Sequence, residues 1–301
     1  MNVNRPSKRD IVEIFGYAPN DTTNQCRSLW NFGRCPFTKT VCLKKNHDST
    51  VIYGTCSVTT AYGDCIICPN RLYFDHFSIL RRVSRETFGD LPFYTFNEYF
   101  DKREETAPCV VALGMHSGHE INIRSLSMDW VLTKIINFEL VEYVGIEVQS
   151  IDITGNYRDN WYAYKNIKPN TKIPNSEHGL NWANVRKRLI PQIIQKSLVY
   201  SQSKLVKSGL YFIVPEIVYK KFEDVLGTDI PLVAKSAPNI ITVHTYGLEN
   251  QVPEGQIRKV SLIRKLKFTM EDFSHRFISG PNLPKATELD TAIRKALGLI
   301  K

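Results

Sequence analysis

The pattern of apolar and polar positions divides the chain into a weakly periodic N-terminal part and a more regular remainder. Residues 16–70 are rich in Cys, Asn, Gly, Pro and Thr and show little periodicity. Such a stretch cannot build a large apolar core, so a bound metal could supply its rigidity. Residues 72–88 carry apolar positions near helical spacing and predict a helix that joins this region to the rest. We therefore predict a small module at residues 1–71 and a larger domain at residues 72–301.

The remainder of the chain predicts strands and helices that combine into one sheet. Ser127–Ile136 and Leu140–Ile153 are rich in Val and Ile and predict two strands of an antiparallel hairpin. Residues 181–198 have one apolar helical face, and Pro191 should kink or restart this helix. Further β-like or mixed segments follow at residues 209–222, 239–248 and 257–270. The expected fold is α/β, with a mixed β-sheet flanked by helices and preceded by a small cysteine module.

Composition and charge narrow the class of protein. Apolar residues make up 43% and charged residues 23%, which excludes a disordered chain. The 39 Lys and Arg against 30 Asp and Glu give a formal charge of +9, which favours a polyanionic partner, most commonly nucleic acid, with a basic but otherwise ordinary enzyme as the alternative. No apolar run reaches the roughly 18 residues of a membrane span, and no signal peptide is visible. We therefore expect a cytoplasmic protein without a membrane partner.

Six of the seven cysteines lie between Cys26 and Cys68. In a reducing compartment such a cluster indicates a metal before it indicates disulfides. The pair Cys65 and Cys68 forms an obvious half-site, and Cys35 with Cys42 could supply the other half on a wider loop. Four thiolates suit Zn²⁺ or a single iron, which the sequence does not separate. The alternative is a set of buried free thiols.

Two carboxylates and an amide mark the predicted hairpin. Asp129 begins the first strand, and Glu147 and Gln149 lie on one face near the end of the second. Converging carboxylates can hold Mg²⁺, which keeps waters that can attack a phosphodiester. Gln149 can orient water through its amide but brings no positive charge. The alternative is a sheet edge with exposed polar side chains.

Polar residues near this hairpin are candidates for DNA binding. The loop at residues 152–161 follows the second strand directly, and the polar face of the helix at residues 181–198 offers similar groups. Side chains of these types contact phosphates and base edges. The candidates are Asp152, Asn156, Arg158, Asn184, Lys187 and Arg188. A plain surface loop and a solvated helix face are the alternatives.

An ordered set of short motifs carries a family resemblance over roughly residues 10 to 280. The motifs are EIFGY (13–17), CPF (35–37), GTCSV (54–58), ICPNR (67–71), MDWVL (128–132), GIEVQSIDITGNYR (145–158), NWANVRKRLIPQ (181–192) and GLYFIVP (209–215). Together they resemble the NotI-type family of type II restriction endonucleases. The resemblance implies a bacterial homodimeric enzyme that makes site-specific double-strand cuts in DNA at a GC-rich palindrome, needs Mg²⁺ and leaves 5′-phosphates.

The resemblance also implies a role for particular residues. It implies a core related to the PD-(D/E)XK nucleases in which Asp129, Glu147 and Gln149 form the active site and glutamine replaces the lysine. It further implies one structural iron, or zinc, held by Cys35, Cys42, Cys56 and Cys68. This set leaves out Cys26 and Cys65, and Cys65 is the obvious fallback ligand.

Two other functions remain open on the residues alone. A metal-stabilised DNA-binding protein without catalysis explains the charge and the cysteines. It does not explain paired carboxylates, which repel phosphates unless a cation intervenes. An RNA-directed nuclease or a tRNA-modifying enzyme is also compatible with the site chemistry, although the family resemblance argues against it.

Overall fold

The computed structural model describes residues 8–102, 107–124, 126–281 and 283–300. The strands, in chain order, are β1 (Ile11–Ile14), β2 (Thr55–Thr60), β3 (Gly63–Ile66), β4 (Phe93–Thr95), β5 (Cys109–Gly114), β6 (Ile121–Ile123), β7 (Leu126–Met128), β8 (Trp130–Ile136), β9 (Glu139–Val148), β10 (Ile153–Thr154), β11 (Gly179–Leu180), β12 (Val206–Pro215), β13 (Ile240–Leu248) and β14 (Val260–Thr269). The α-helices are α1 (Asn24–Phe32), α2 (Phe74–Phe88), α3 (Phe96–Lys102), α4 (Arg158–Lys165), α5 (Ile190–Ser201), α6 (Glu216–Leu226), α7 (Met270–Ser279) and α8 (Ala286–Ala296).

A seven-stranded mixed sheet carries the predicted hairpin. Its strand order is β14-β13-β12-β9-β8-β5-β4. Strands β9, β12 and β13 run parallel, whereas β8 is antiparallel to both β5 and β9. The second half of β12 is buried without interruption, as expected for a central strand covered on both faces. The predicted α/β class, a mixed sheet flanked by helices, is confirmed.

The predicted hairpin forms with shorter strands than expected, because Ser127 and Met128 belong to β7 and β9 ends at Val148, just before Gln149. Strands β8 and β9 pair in antiparallel fashion, with Trp130 opposite Ile146. The turn residues Asn137 and Phe138 both have positive φ, at 50° and 64°, which suits the twist of a two-residue hairpin turn. This register places Asp129, the residue before Trp130, beside the end of β9.

Helices cover the two faces of the sheet. Helix α2 contacts β5 and β8, while α5 contacts β9 and β12 and α6 contacts β12 and β13. Glu147 is in register with Phe212, and Phe212 with Val243, so Glu147 lies on the sheet face opposite His244. His244 pairs with Glu86 of α2, whereas Glu147 pairs with Lys196 of α5. Helices α2 and α5 therefore lie on opposite faces.

The N-terminal region buries more apolar surface than its composition predicts. It forms α1 and the three-stranded sheet β1-β2-β3. Within residues 16–70, Val58, Ile66 and Ile67 belong to the same core as the residues of the large sheet. The stretch was expected not to build a large apolar core of its own, and its buried apolar residues pack in a core shared with the rest of the chain. The boundary at residue 71 stays a prediction.

Three segments differ from their predicted secondary structure. A 3₁₀ turn at Pro69–Tyr73 precedes α2, and Asp75, His76 and Phe77 have positive φ, so the regular part of α2 begins after Phe77. The predicted loop at residues 152–161 includes β10 and the start of α4, because the buried Trp161 and Tyr164 form an apolar stripe at helical spacing. The helix predicted at residues 181–198 contains a π-helical turn, Val185–Leu189, and restarts as α5 next to Pro191. Among the described residues, we find no helix with the length and apolarity that crossing a membrane requires.

Candidate functional site

The Asp129 and Glu147 side chains meet at the open end of the β8–β9 hairpin. Asp129 is half-buried, and its Oδ2 accepts hydrogen bonds from the Val148 backbone amide at 2.9 Å and from Gln149 Nε2 at 3.2 Å. Glu147 is only 2% exposed, and its carboxylate accepts a hydrogen bond from the Asp129 backbone amide. The structure therefore brings all three predicted catalytic residues together.

A buried lysine completes this cluster, and sequence reasoning missed it. Lys196 of α5 is 6% exposed and donates a hydrogen bond from Nζ to Glu147 Oε2. It lies on the apolar stripe of the helix, three residues after Ile193 and four before Tyr200. A charged residue on an apolar face was the available signal, because a buried lysine requires an anionic partner.

An aromatic ring packs beside the cluster on the α5 face of the sheet. The Tyr200 ring lies against β9 at Gly145, where an added Cβ would come within 2.1 Å of that ring. Glycine at position 145 therefore makes room for the helix that carries Lys196. The resulting low polarity strengthens every electrostatic interaction inside.

The raised pKa values of Asp129 and Glu147 favour a state in which the two carboxyl groups carry one negative charge between them rather than two. Burial, and next the neighbouring Asp129 carboxylate, raise the pKa of Glu147 to about 8 against the opposing effect of Lys196. Burial also raises the pKa of Asp129, and Lys196 opposes this rise. A pair that carries one negative charge is balanced by Lys196, so a divalent cation would bind here with release of the shared proton.

The pair should make stability depend on pH. Between the ordinary value of 4.5 and about 8, folded Glu147 holds a proton that the unfolded chain releases, so the free energy of unfolding falls as pH rises through this window. Glu147→Gln cannot ionise. In EDTA, the difference in Tm between Glu147→Gln and the wild type should therefore shift by roughly 5 °C in favour of the variant as the pH rises from 5 to 8.5. The exposed Glu139→Gln serves as control, and a Tm difference independent of pH would contradict the assignment.

The donor set fits a hard divalent cation. Glu147 Oε1 is buried and has no hydrogen-bond partner among the described residues. A buried carboxylate oxygen without a partner is costly unless a cation or water satisfies it. Mg²⁺ is held by one or two carboxylates and retains several waters, which matches Asp129 and Glu147 with few further ligands.

Three of the six predicted DNA-binding residues lie together beside this cluster. A cavity of about 140 Å³ is lined by Gln149, Asp152, Asn184, Arg188 and, from the cysteine region, Lys44. Asn184 Nδ2 donates a hydrogen bond to Asp152 Oδ2 at 2.9 Å, and Arg188 lies 3.8 Å from the same oxygen. Lys44 is a second residue that sequence reasoning missed, since nothing in its local pattern connects it to the hairpin.

The other three candidates are exposed but do not line this cavity. Asn156 Oδ1 accepts a hydrogen bond from the Arg158 backbone amide at the start of α4. The Arg158 guanidinium lies 5.7 Å from the centre of the Tyr162 ring. Lys187 is exposed on the π-helical turn. Three of the six predicted DNA-binding residues therefore line the cavity beside the cluster, and the other three do not.

Four of the buried cysteines influence one another. Burial raises the pKa of Cys42 to about 12, and Cys68 and Cys35 add to this rise. Burial likewise raises the pKa of Cys56 well above its ordinary value, with further contributions from Cys68 and Cys42. No such coupling to these four contributes to the shifts of Cys26, Cys65 or Cys109. The mutual influence therefore separates the set implied by the resemblance from the remaining cysteines.

Backbone amides also point at two of these thiols. Cys42 Sγ accepts a hydrogen bond from the Lys44 amide, and Cys68 Sγ accepts two, from the amides of Asn70 and Arg71. Such hydrogen bonds support thiolate ligands of metals. All seven cysteines are free, and in the described part of the chain no three His, Cys, Asp or Glu side chains are arranged to hold a metal ion. The four-cysteine site therefore stays a prediction with a fitting donor set.

Elemental analysis tests the four-cysteine site. Purified protein should contain about one iron or zinc per chain, because four clustered thiolates bind such a metal tightly. Cys35→Ser and Cys68→Ser should lower both the metal content and Tm, whereas Cys109→Ser and Cys65→Ser should leave the metal content unchanged. Metal-free protein, or an equal loss with Cys109→Ser, would contradict this site.

No protein-family model matches the chain, and no curated protein matches it. The assignment of a function therefore depends on the geometry of the hairpin cluster and on the resemblance of the motifs.

Proposed function

We propose that this protein is a Mg²⁺-dependent DNA endonuclease whose active site is Asp129, Glu147, Gln149 and Lys196. The observation that carries the proposal is the meeting of two carboxylates at the end of β8–β9, with Glu147 Oε1 buried and unpartnered. Lys196 supplies one positive charge to two carboxylates, so a divalent cation would complete the charge balance, and such a cation can activate the water that hydrolyses a phosphodiester.

The arrangement of the strands supports a PD-(D/E)XK-like core. An antiparallel hairpin presents the acidic residues, and β12 then joins β9 in parallel after a helical crossover. In this proposal Gln149 takes the position of the lysine of that motif, and Lys196 supplies the positive charge from α5. The resemblance to NotI-type enzymes adds the expectation of a homodimer that cuts a GC-rich palindrome.

Each residue has a distinct role in the proposed reaction. A bound divalent cation would activate water and neutralise phosphate charge. Asp129 and Glu147 would hold this cation, and Lys196 positions Glu147. Gln149 fixes Asp129 through Nε2, which leaves its amide oxygen free to orient the attacking water. The water oxygen bonds to phosphorus, the P–O3′ bond breaks, and the 3′ oxygen takes up a proton, so the products are a 5′-phosphate and a 3′-hydroxyl.

The surroundings of the cluster suit a polyanionic substrate. Lys44 and Arg188 lie on the rim of the cavity next to Gln149. A net charge of +9 attracts DNA at long range, and binding that releases counterions weakens steeply with salt. These features support duplex DNA as the substrate, and in this proposal the basic side chains lie beside the scissile phosphate.

Incubation with plasmid DNA tests the proposal. Protein with Mg²⁺ should yield discrete fragments, and protein with EDTA should yield none. A parallel digest of structured RNA should leave the RNA intact. Binding without cleavage would instead support a metal-stabilised DNA-binding protein, and cleavage of the RNA alone would support an RNA-directed enzyme.

Lys196 should be required for rate but not for DNA affinity. Lys196→Met removes the charge beside Glu147, and we expect cleavage to slow by roughly 10²-fold while affinity for DNA in Ca²⁺ stays unchanged. Lys196→Arg keeps the charge and should recover part of the rate. The exposed Lys204→Met is the matched control. A Lys196→Met enzyme with the wild-type rate would remove Lys196 from the site.

A further inference from the structure

A cavity of about 610 Å³ lies between the cysteine region, the start of α2 and the segment before β14. The rings that line it are those of Phe37, Tyr73, Phe74 and Phe77 and the imidazoles of His76 and His116. Its volume falls within the roughly 300–1,000 Å³ that is usual for sites of small ligands. None of its residues takes part in the proposed cleavage, so that reaction does not account for the cavity.

The backbone at the start of α2 is shaped to line this cavity. Five consecutive residues, 73–77, border it, whereas a regular helix turns successive side chains by about 100° and cannot aim five of them at one space. The difference arises because Asp75, His76 and Phe77 are left-handed, with φ of 49°, 51° and 61°. No glycine relieves this conformation, which costs free energy at each residue. Such strain is concentrated at segments that clamp ligands.

Two rings of the cavity are available to a planar ligand. Phe74 is half-buried and His76 is exposed, and neither ring packs against another ring in the described part of the chain. Tyr73 and Phe77 instead contact each other and Trp130, and they form a fixed wall. Nucleobases stack on side chains of this kind, because every base has a π-face.

Unpaired charges line the same cavity. Lys39 and Lys259 are exposed, and neither ammonium group has an ion pair or a hydrogen bond among the described residues. Arg258, in contrast, is held by Asp64 at 2.9 Å. Two lysines without partners beside aromatic rings suit a ligand that joins a planar group to a phosphate.

The Asp75 carboxylate also lines the cavity, is exposed and has no partner among the residues that the structure describes. Its two oxygens only accept hydrogen bonds. Guanine presents two adjacent donors, N1–H and the N2 amino group, to such a pair of oxygens, whereas adenine and cytosine present one amino group and thymine presents one imino group. A carboxylate also repels phosphate, so the base rather than the phosphate lies at Asp75.

We propose that this cavity binds a nucleotide and that guanine is its preferred base. The base stacks against Phe74 and His76. The phosphate binds Lys39 and Lys259. The ligand is either a free nucleotide or an unstacked nucleotide of a DNA strand, which share this chemistry.

The wall of the cavity reaches the β8–β9 hairpin. The hydroxyl of Tyr73 accepts a hydrogen bond from Trp130 Nε1 at 2.9 Å, and Trp130 directly follows Asp129. A strand of DNA at the hairpin could therefore place one nucleotide in the cavity. The nucleotide site is nevertheless independent of the proposed cleavage, since it uses neither Asp129 nor Glu147.

Calorimetric titration of the full chain with dGMP in EDTA tests the site without cleavage. We expect a dissociation constant of roughly 10–100 µM for dGMP and at least about tenfold weaker binding of inorganic phosphate. Glu147→Gln should bind dGMP like the wild type. No binding of dGMP at about 1 mM, or equal affinities for dGMP and inorganic phosphate, would overturn the proposal. Loss of dGMP binding in Glu147→Gln would assign the binding to the proposed active site and would overturn it as well.

Two substitutions test the ring and the cation separately. Phe74→Ala and Lys259→Met should each weaken dGMP binding by about tenfold. The controls are Phe32→Ala and Lys204→Met, at exposed residues outside the cavity, which should bind like the wild type. Because Lys259 is exposed, Lys259→Met tests the site even if Phe74→Ala does not fold. Wild-type affinity in Lys259→Met would overturn the proposal.

Asp75→Asn tests the choice of base. Asparagine tolerates the left-handed backbone at this position and replaces one acceptor oxygen by a donor. The wild type should bind dGMP several-fold more tightly than dAMP, and the variant should lose this preference. An unchanged preference would overturn the assignment of the base to Asp75.

A single strand of three nucleotides with guanine in the middle distinguishes the two sources of the ligand. Binding at least as tight as that of dGMP would assign the cavity to a nucleotide within a strand. Much weaker binding would assign it to a free nucleotide. Both results support a nucleotide site, whereas absence of binding of both ligands overturns it.

Discussion

Glu147→Gln is expected to reduce Mg²⁺-dependent DNA cleavage on the order of 10³-fold, while DNA affinity in Ca²⁺ changes by less than about threefold. The substitution keeps the size of the side chain and an oxygen that accepts the hydrogen bond from Lys196. It removes the negative charge that the proposed cation requires. The large effect on rate follows because Asp129 alone leaves the cation with one protein carboxylate. Gel-based cleavage rates and filter binding measure the two quantities.

A matched control lies on the same strand. Glu142 of β9 is half-buried and lies opposite Lys134, away from the cluster. Glu142→Gln should therefore cleave DNA at the wild-type rate. If Glu147→Gln also cleaved at that rate, the carboxylate pair would not be the catalytic site. If it lost DNA binding together with cleavage, the defect would lie in folding, and the pH dependence of Tm described above would separate these outcomes.

Glu13→Ala is expected to lower the free energy of unfolding by about 3–5 kcal/mol. Glu13 and Arg71 have fully buried side chains joined by two hydrogen bonds, at 3.0 and 2.9 Å. Ser57 donates a third hydrogen bond to Glu13 at 2.8 Å. Truncation leaves the Arg71 guanidinium buried without its counter-ion. Since Arg71 also donates to the Arg258 carbonyl, the change should loosen the N-terminal sheet from the chain beside β14.

The control for this prediction is an exposed ion pair of similar length. Arg85 and Asp90 lie 2.8 Å apart with side chains 71% and 85% exposed. Asp90→Ala should cost less than about 1 kcal/mol, because water screens the pair. Urea unfolding followed by fluorescence gives both values. Equal losses in the free energy of unfolding for Glu13→Ala and Asp90→Ala would show that the buried pair does not hold the N-terminal sheet to the Pro69–Tyr73 turn.

The sequence predicted the hairpin because its information is local. Val and Ile in two runs, separated by Asn137 and Phe138, specify two strands and their turn. Strand pairing then brings Asp129, just before β8, beside Glu147 near the end of β9, and Gln149 follows directly after that strand. The two carboxylates of the proposed active site are therefore the part of the candidate site that a single sequence can predict.

Contacts between segments that lie far apart in the sequence cannot be predicted from local patterns in this way. Lys196 reaches Glu147 only because α5 crosses β9 at Gly145, and Arg71 meets Glu13 across 58 residues. The helix beginning at Arg158 was predicted as a loop because its polar residues hide a stripe of two buried aromatic rings. Such packing depends on which element lies opposite, which local periodicity does not contain.

The cysteines are a further example of contacts that local sequence patterns do not predict. Spacing favours Cys65 and Cys68 as a half-site, whereas the mutual influence among thiols joins Cys68 to Cys35, Cys42 and Cys56. Cys65 lies on β3, whereas Cys68 follows that strand at the start of the Pro69–Tyr73 turn. Which of these cysteines bind a metal therefore stays a prediction.

Sequencing the ends of fragments cut from a known plasmid tests the central claim most directly. The account predicts that Mg²⁺ produces fragments whose ends all derive from one palindromic sequence and carry 5′-phosphates, and that Asp129→Asn and Glu147→Gln produce no such ends. Ends scattered without a common sequence, ends that carry 3′-phosphates, or identical fragments from the two variants would contradict it.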